Sequence, residues 1–175
     1  MFFKKVTYFQ VKISTCVLLI IAVTNVIVYG QRSPAQIVSV QGEVLRPLKL
    51  SRDEIMNLKQ TEVSARDHDG ELRTYKGVAL VDVLIAAGVT LGAQLRGKNL
   101  LKYVAVKAAD SYEVVFSLPE IDPQFTSQTI LLAYKVDGAD LAKGDGPYRM
   151  VVPNDRKHAR WVREVTSIRV VAAKE

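Results

Sequence analysis

Residue types able to do chemistry gather in two places along the chain. The first is 146-GPYRMVVPNDRKHARWVREV-165, where a short apolar run, Met150-Val151-Val152, meets Pro153. Arg156, Lys157, His158, Arg160 and Arg163 then crowd around the only tryptophan, Trp161, and Arg149 precedes them on the run itself. Guanidinium forks and backbone N–H groups suit a phosphate or carboxylate, because hydrogen bonds to a charged partner are stronger than neutral ones. Three such bonds at about 1.5–3 kcal/mol each give a gross gain of roughly 5–9 kcal/mol. Association costs at least ~4 kcal/mol before any side chain is ordered. The loop alone therefore holds a small anion weakly, and tight binding needs enclosing apolar surface. The plainer account is a solvated turn between strands, partly balanced by Asp155 and Glu164. Trp161 is then a core residue, and Arg149 pairs with a buried carboxylate.

The second place is 66-RDHDGELR-73. Carboxylates flanking His68 could hold a divalent ion, with His158 as a second nitrogen donor. Adjacent strand positions point to opposite faces, however, and Asp69-Gly70 marks a hairpin turn. A polar, solvated hairpin is the simpler account, and no metal site is assigned. Ser64 lies in no nucleophile-elbow context and neither histidine has a partner set by spacing, so no catalytic residue is assigned.

These residues belong to a chain of 175 residues with 24 basic and 18 acidic side chains, net +6. Lys4 and Lys5 precede 17-VLLIIAV-23, no charge falls between Ile13 and Tyr29, and Val28-Tyr29-Gly30 fits a cleavage site before Gln31. Residues 1–30 read as an export signal peptide. An uncleaved anchor is the alternative, weakened by Thr24 and Asn25. No arginine pair precedes the apolar run, which points to general, unfolded export. Without Lys4, Lys5 and Lys12 the net charge drops to +3, no footprint for bulk nucleic-acid binding. The sole cysteine, Cys16, lies inside the signal, so the exported part has no disulfide, no thiolate nucleophile and no cysteine–metal bond.

Residues 31–36 form a polar lead-in, 37–171 suit one domain with a real core, and 172–175 are a short tail. Residues 37-IVSVQGEV-44 alternate like a strand, with Pro47 as an edge or turn. Ser51-Arg52-Asp53-Glu54 fits a capping box opening a short helix through Leu58, Ile55 and Leu58 inward. Leu80, Val83, Leu84 and Ala87 recur at helical spacing, with Gly88 as C-cap. Residues 102–108 and 112–117 read as paired strands, and Leu118 to Asp122 as one helical turn before Pro123. Residues 129–136, 148–152 and 165–171 are further strands, the first ended by Asp137-Gly138. Strands mixed with two short helices indicate an α+β domain with a mixed or antiparallel β framework.

The order of segments resembles a known family. Val40-Gln41-Gly42-Glu43-Val44 with Pro47 and Leu50, Tyr75-Lys76-Gly77 leading into 80-LVDVL-84, then 131-LLAYKVDGADL-141, 146-GPYRMVVP-153 and 158-HARWVREVTSIRV-170 are similar to the sulfite-oxidase-type molybdopterin-binding domain. The resemblance implies that family's α+β fold and a molybdenum–pterin cofactor acting on small oxyanions and sulfoxides. It also implies that the 153–163 loop lines the pterin and its phosphate. Arg149 matches the arginine of the Gly-Pro-x-Arg strand, and Arg160 stands where the family commonly has lysine.

Two departures shape the expected function. The family's metal-ligating cysteine, counted back from Gly77, falls near Ala65, which has no donor atom, and molybdenum there relies on a soft thiolate. The cofactor is loaded in the cytoplasm, whereas this signal implies unfolded export. The expectation is a secreted or periplasmic, non-catalytic pterin- or anion-binding or protein-interaction module. Arg149, Arg156, Lys157, His158 and Arg160 are the anion-contacting set, and Arg66 and His68 face the same cleft. The alternative is a molybdopterin-dependent oxidoreductase with non-cysteine ligation. Expected partners are a small anionic ligand or pterin, or an envelope protein, which an exposed apolar patch of this chain beside Tyr148 or Phe125 would favour. A membrane enters only through an uncleaved N-terminal segment.

Overall fold

The computed structural model describes residues 37–173. The expected signal 1–30 and lead-in 31–36 lie outside the described residues. Two sheets and two helices carry the domain, as the α+β reading expects. The first sheet is built from β1 (Val38–Gly42), β2 (Leu48–Leu50), β5 (Lys102–Ala108), β6 (Glu113–Ser117) and β10 (Val165–Ala172), in the order β2-β1-β10-β5-β6. The second holds β3 (Gln60–Arg66), β4 (Leu72–Ala79), β7 (Leu131–Val136) and β8 (Ala139–Asp140) in that order, with β9 (Arg149–Val151) paired to β7. The helices are α1 (Arg52–Asn57) and α2 (Leu80–Ala86).

Local chemistry explains most boundaries. Ser51 and Glu54 form the expected capping box, the Ser51 amide donating to Glu54 Oε2 at 2.7 Å and the Glu54 amide to Ser51 Oγ at 3.4 Å, so two orphan amides at the start of α1 are satisfied. Ile55 is the helix's buried residue. In α2, Leu80, Val83 and Leu84 are buried, and Gly88 follows with φ +75°, the left-handed backbone of a helix stop. The amides of Ile121 and Asp122 both donate to the Leu118 carbonyl, forming the single turn before Pro123.

Long-range pairing brings the chain ends together. β1 runs parallel to β10, Val40 opposite Ile168, and antiparallel to β2. Strand β10 extends one residue past the expected end, to Ala172, and β2, β8 and three short 3-10 turns (Gly92–Gln94, Gly97–Leu101 and His158–Arg160) are additions to the sequence reading. Among the described residues, no helix is long and apolar enough to cross a membrane.

For the site, three placements matter. The β3–β4 hairpin carries residues 66–73 at its tip, with Asp67 and Glu71 closing the turn through Asp67 N to Glu71 O at 2.8 Å. Strand β9 lies on β7, Ala133 opposite Arg149. Past β9 the chain loops out and returns, Met150 N donating to Val162 O and Val165 N to Tyr148 O, at 2.8 and 2.9 Å. Both ends of the basic loop are therefore pinned to one short strand.

Candidate functional site

At the centre of the site is a carboxylate rather than a cation. Val63, Ala65 and Asp67 alternate onto the same side of the hairpin. Ala65 is buried, and Asp67 behind it is only 8% exposed. Four donors converge on the Asp67 carboxylate: the Tyr75 hydroxyl at 2.7 Å, the His68 amide at 2.7 Å, His68 Nδ1 at 3.0 Å and Arg149 Nη2 at 3.1 Å. A carboxylate accepts, so Nδ1 of His68 carries its proton. Burial by itself raises the Asp67 carboxyl. The Tyr75 hydroxyl, then His68 and Arg149, outweigh it and hold the group far below the usual carboxylate range. The same contact, with desolvation as the larger cause, pushes the Tyr75 hydroxyl above its ordinary value.

Arg149 is buried and walled by two rings, its guanidinium carbon 5.1 Å from the Trp161 ring centre and 5.9 Å from that of Tyr75. Tyr75 and Trp161 meet edge to face, centroids 5.6 Å apart. Trp161 is anchored by its indole N–H on Val152 O at 3.1 Å, the core placement its size favours. Asp145 adds a second carboxylate to Arg149 at 3.6 Å, and Arg149 Nε is buried with no acceptor.

The seven expected contact residues divide into three groups. His68 and Arg149 meet at Asp67, whereas the Arg66 guanidinium donates to the Gly70 carbonyl at 3.0 Å. His158 Nε2 lies 2.9 Å from the Arg66 backbone carbonyl, with its ring edge-on to Trp161 at 4.2 Å. A carbonyl only accepts, so Nε2 carries the proton. Arg156 and Lys157 are exposed on the same loop. Arg160 turns away. Its guanidinium grips Asp155 at 2.9 and 2.7 Å and Glu120 at 2.9 Å and lies over Phe116. The hydrogen bonds from Asp155, ahead of those from Glu120, raise its affinity for the proton further. Arg149 and Arg160, the strongest cationic forks of the sequence reading, are thus each balanced by two carboxylates of the chain itself.

Beneath the loop opens a cleft of about 480 Å³, within the range of small-molecule sites. Asp110 and Tyr112 line it from the β5–β6 turn, Gly144 from the loop before β9, and His158, Trp161 and Arg163 from the basic loop. The Tyr112 hydroxyl donates to the Ala159 carbonyl at 2.8 Å, tying the turn to the loop. Glu164, on the cleft wall, has left-handed backbone at φ 47°. Tyr112 and Asp110 carried no sequence signal, since a turn between strands is usually only a connection. Asp67 did carry one, its alternation with Val63 and Ala65, which places it inward instead of on a solvated hairpin.

Metal ligation does not fit these residues. Ala65 offers no donor, Ser64 is exposed on the opposite face of β3, and Asp67 is engaged by four donors. Among the described residues no group of three or more His, Cys, Asp or Glu side chains is placed to hold a metal ion. A planar heterocycle needs no such donor, and the cleft has room for one. On the partner question, Phe125 is half-exposed, a groove of about 400 Å³ is lined by residues that include the half-exposed Ile85, Pro123 and Thr126, and Tyr148 is buried.

Comparison with known proteins agrees with this fold. Residues 70–175 match the model of a family described as oxidoreductase molybdopterin binding domain. The fold is similar to the crystal structure of the sulfane dehydrogenase SoxCD from Paracoccus pantotrophus, with TM-score 0.62 and 20% identity over 79% of this chain. The match covers 39% of that chain, so the present protein spans well under half of it. Among curated proteins none matches.

Proposed function

The chain belongs to the oxidoreductase molybdopterin-binding domain family, and from that premise we propose that it is a non-catalytic binding module of the export compartment. It takes a small anionic or pterin-type ligand in the cleft under the basic loop. One observation supports this reading: Ala65, near which the resemblance puts the family's thiolate, offers only a buried methyl group, and the neighbouring carboxylate of Asp67 is already saturated by its own chain. Binding is left as the function, and the cleft supplies the means. The Tyr112 and His158 rings offer faces for a planar ligand, and Arg163, two-thirds exposed and loosely paired with Asp145 at 3.5 Å, has donors left for an anion at the mouth. An export signal without paired arginines supports a domain that crosses the membrane unfolded and folds without a preloaded cofactor.

The test uses protein recovered from its own export compartment, analysed for molybdenum and, after oxidative release, for pterin fluorescence. The expected outcome is no molybdenum, with pterin either co-purifying or binding on addition. Trp161, the sole tryptophan, borders the cleft, so its emission reports pterin titration directly. His158→Ala is expected to weaken that response at least tenfold, while Arg46→Ala, remote on the surface, leaves it unchanged. Molybdenum near one atom per chain would overturn the proposal in favour of an oxidoreductase with non-cysteine ligation. A protein with neither metal nor any pterin response would leave protein interaction as its role.

A further inference from the structure

We propose that the edge strand β6 docks a second copy of this chain, the two β6 strands pairing antiparallel about Val115 so that the first sheet continues from one protomer into the next. Strand β6 ends that sheet, and among the described residues no strand pairs with its far side. Which backbone groups face outward follows from the hairpin. Ala108 N donates to Tyr112 O and Leu118 N to Lys102 O, so the even-numbered residues of β6 turn their backbone groups toward β5. Glu113, Val115 and Ser117 therefore turn theirs outward, and the Ser117 amide shows it by donating to Glu120 Oε1. The amides of Glu113 and Val115 and the carbonyls of all three residues are open to an outside strand.

Sheet edges are normally blunted, because a bare one pairs with any strand that reaches it. The other edges here are blunted. Strand β2 is three residues long with Pro47 before it and Lys49 within it, β3 carries Glu62 and Arg66, β8 has two residues, and β9 is backed by Val162. By contrast, Tyr112-Glu113-Val114-Val115-Phe116-Ser117 holds no proline or glycine, a single charge, and mostly residues that favour strands. Val115, at the centre of β6, is 54% exposed. The same sequence names the occupant. With Val115 set on the second copy's Val115, all five residues of β6 overlap, Glu113 falls opposite Ser117 and Val114 opposite Phe116. The two Glu113 carboxylates then stand roughly 13 Å apart along the strands, each opposite Lys107 of its own β5. Sliding the strands to set Glu113 on Glu113 would oppose like charges. Two-fold pairing of this kind is self-complementary and closes at two copies. Five residues a side make less than a standard interface, so the dimer is weak and concentration-dependent.

The experiment is sedimentation equilibrium of the purified protein across roughly 1–500 µM, the span in which a weak pairing of this size dissociates. The natural chain is expected to pass from monomer to dimer. Val115→Lys sets two cations face to face and is expected to need at least about tenfold more protein to do so. Thermal unfolding of dilute Val115→Lys at the natural Tm separates that loss from misfolding. Register is read in a Cys16→Ser background, which has no other cysteine. Directly paired residues of this kind lie about 5.5 Å apart at Cα, within disulfide reach. Val115→Cys is therefore expected to oxidise to a covalent dimer at least about tenfold faster than Glu113→Cys. A natural chain that stays monomeric throughout would overturn the proposal and leave β6 to a strand of another protein. So would a Val115→Lys chain that associates as the natural one does, or equal linking from the two cysteine positions. If Val115→Lys does not fold, the linking pattern decides alone. None of these readings involves pterin, so a failure here and a failure of the proposed function are separable.

Discussion

Two arginines show how context decides what a charge does. Arg149 and Arg160 both sit in a segment whose composition reads as an anion receptor, and both are matched by carboxylates of the same chain. For Arg160 the consequence is mechanical: it ties Asp155 on the loop to Glu120 after β6 and covers Phe116. Arg160→Ala is expected to cost about 1 kcal/mol or somewhat more, since partly exposed pairs contribute little singly but these form a network. Chemical denaturation checks this, and pterin titration of the same variant should show an affinity close to that of the natural chain. A large loss of affinity with little loss of stability would restore Arg160 to the ligand site. Asp67 sets the acid limit. Its carboxyl is held far below the ordinary range, so its contribution is complete above the unfolded value of about 3.9 and is lost only as pH falls through the depressed folded value. Urea unfolding between pH 7 and pH 2 should therefore show a stability decline below pH 4 that is markedly shallower in Asp67→Asn. Parallel declines in the two proteins would mean that the Asp67 carboxylate is not the group being titrated.

At the scale of elements, the second sheet depends on one close approach. Gly77 on β4 faces β7 so tightly that a Cβ would stand 2.1 Å from the Leu132 carbonyl oxygen, at the point where the register shifts between Lys76 and Gly77. Gly77→Ala must push β7 away, and β7 carries β9 and so Arg149. The expected cost is about 3 kcal/mol, the upper part of the range for overpacking, together with altered Trp161 emission, because the shift reaches the site. A stable variant with natural emission would show that the sheet yields locally. Elements of this kind were legible wherever their cause is local. The capping box at Ser51, the Asp69-Gly70 and Asp137-Gly138 turns and the periodicity of α2 each act within a few residues, and all stand where the sequence puts them. The parallel pairing of β1 with β10 was not legible, because a strand's alternation says which face is buried and nothing about its neighbour. The same holds for the site: 82 positions separate Asp67 from Arg149, and no spacing rule predicts that a hairpin tip closes over a strand so distant. The alternation that turns Asp67 inward was visible, but a charged Asp-His-Asp-Gly run reads first as a solvated turn.

The molecule as a whole joins its first described strand to its last, with β10 between β1 and β5, so neither sheet order nor core is complete until residues 165–172 have been made. Such a chain gains its stability late and from non-local contacts, which makes folding slow but does not require an external template. In a fold family built around a cofactor, the open question is what fills the centre when none is supplied. Here the apolar cluster is continuous from Val38 and Ile168 through Leu84 and Leu132 to Trp161, and the buried Arg149 beside it has its anion in Asp67. Both components belong to the chain, so the protein, fully unfolded in guanidinium and diluted into metal-free buffer, is expected to refold cooperatively. It should recover the emission of Trp161 and the same urea midpoint as before unfolding. Addition of molybdate and a pterin extract during refolding should change neither yield nor midpoint beyond what pterin binding to the folded protein explains by mass action. If native emission returned only when the extract was present from the start, the cofactor would be part of the folding reaction, and unfolded export could not be sustained.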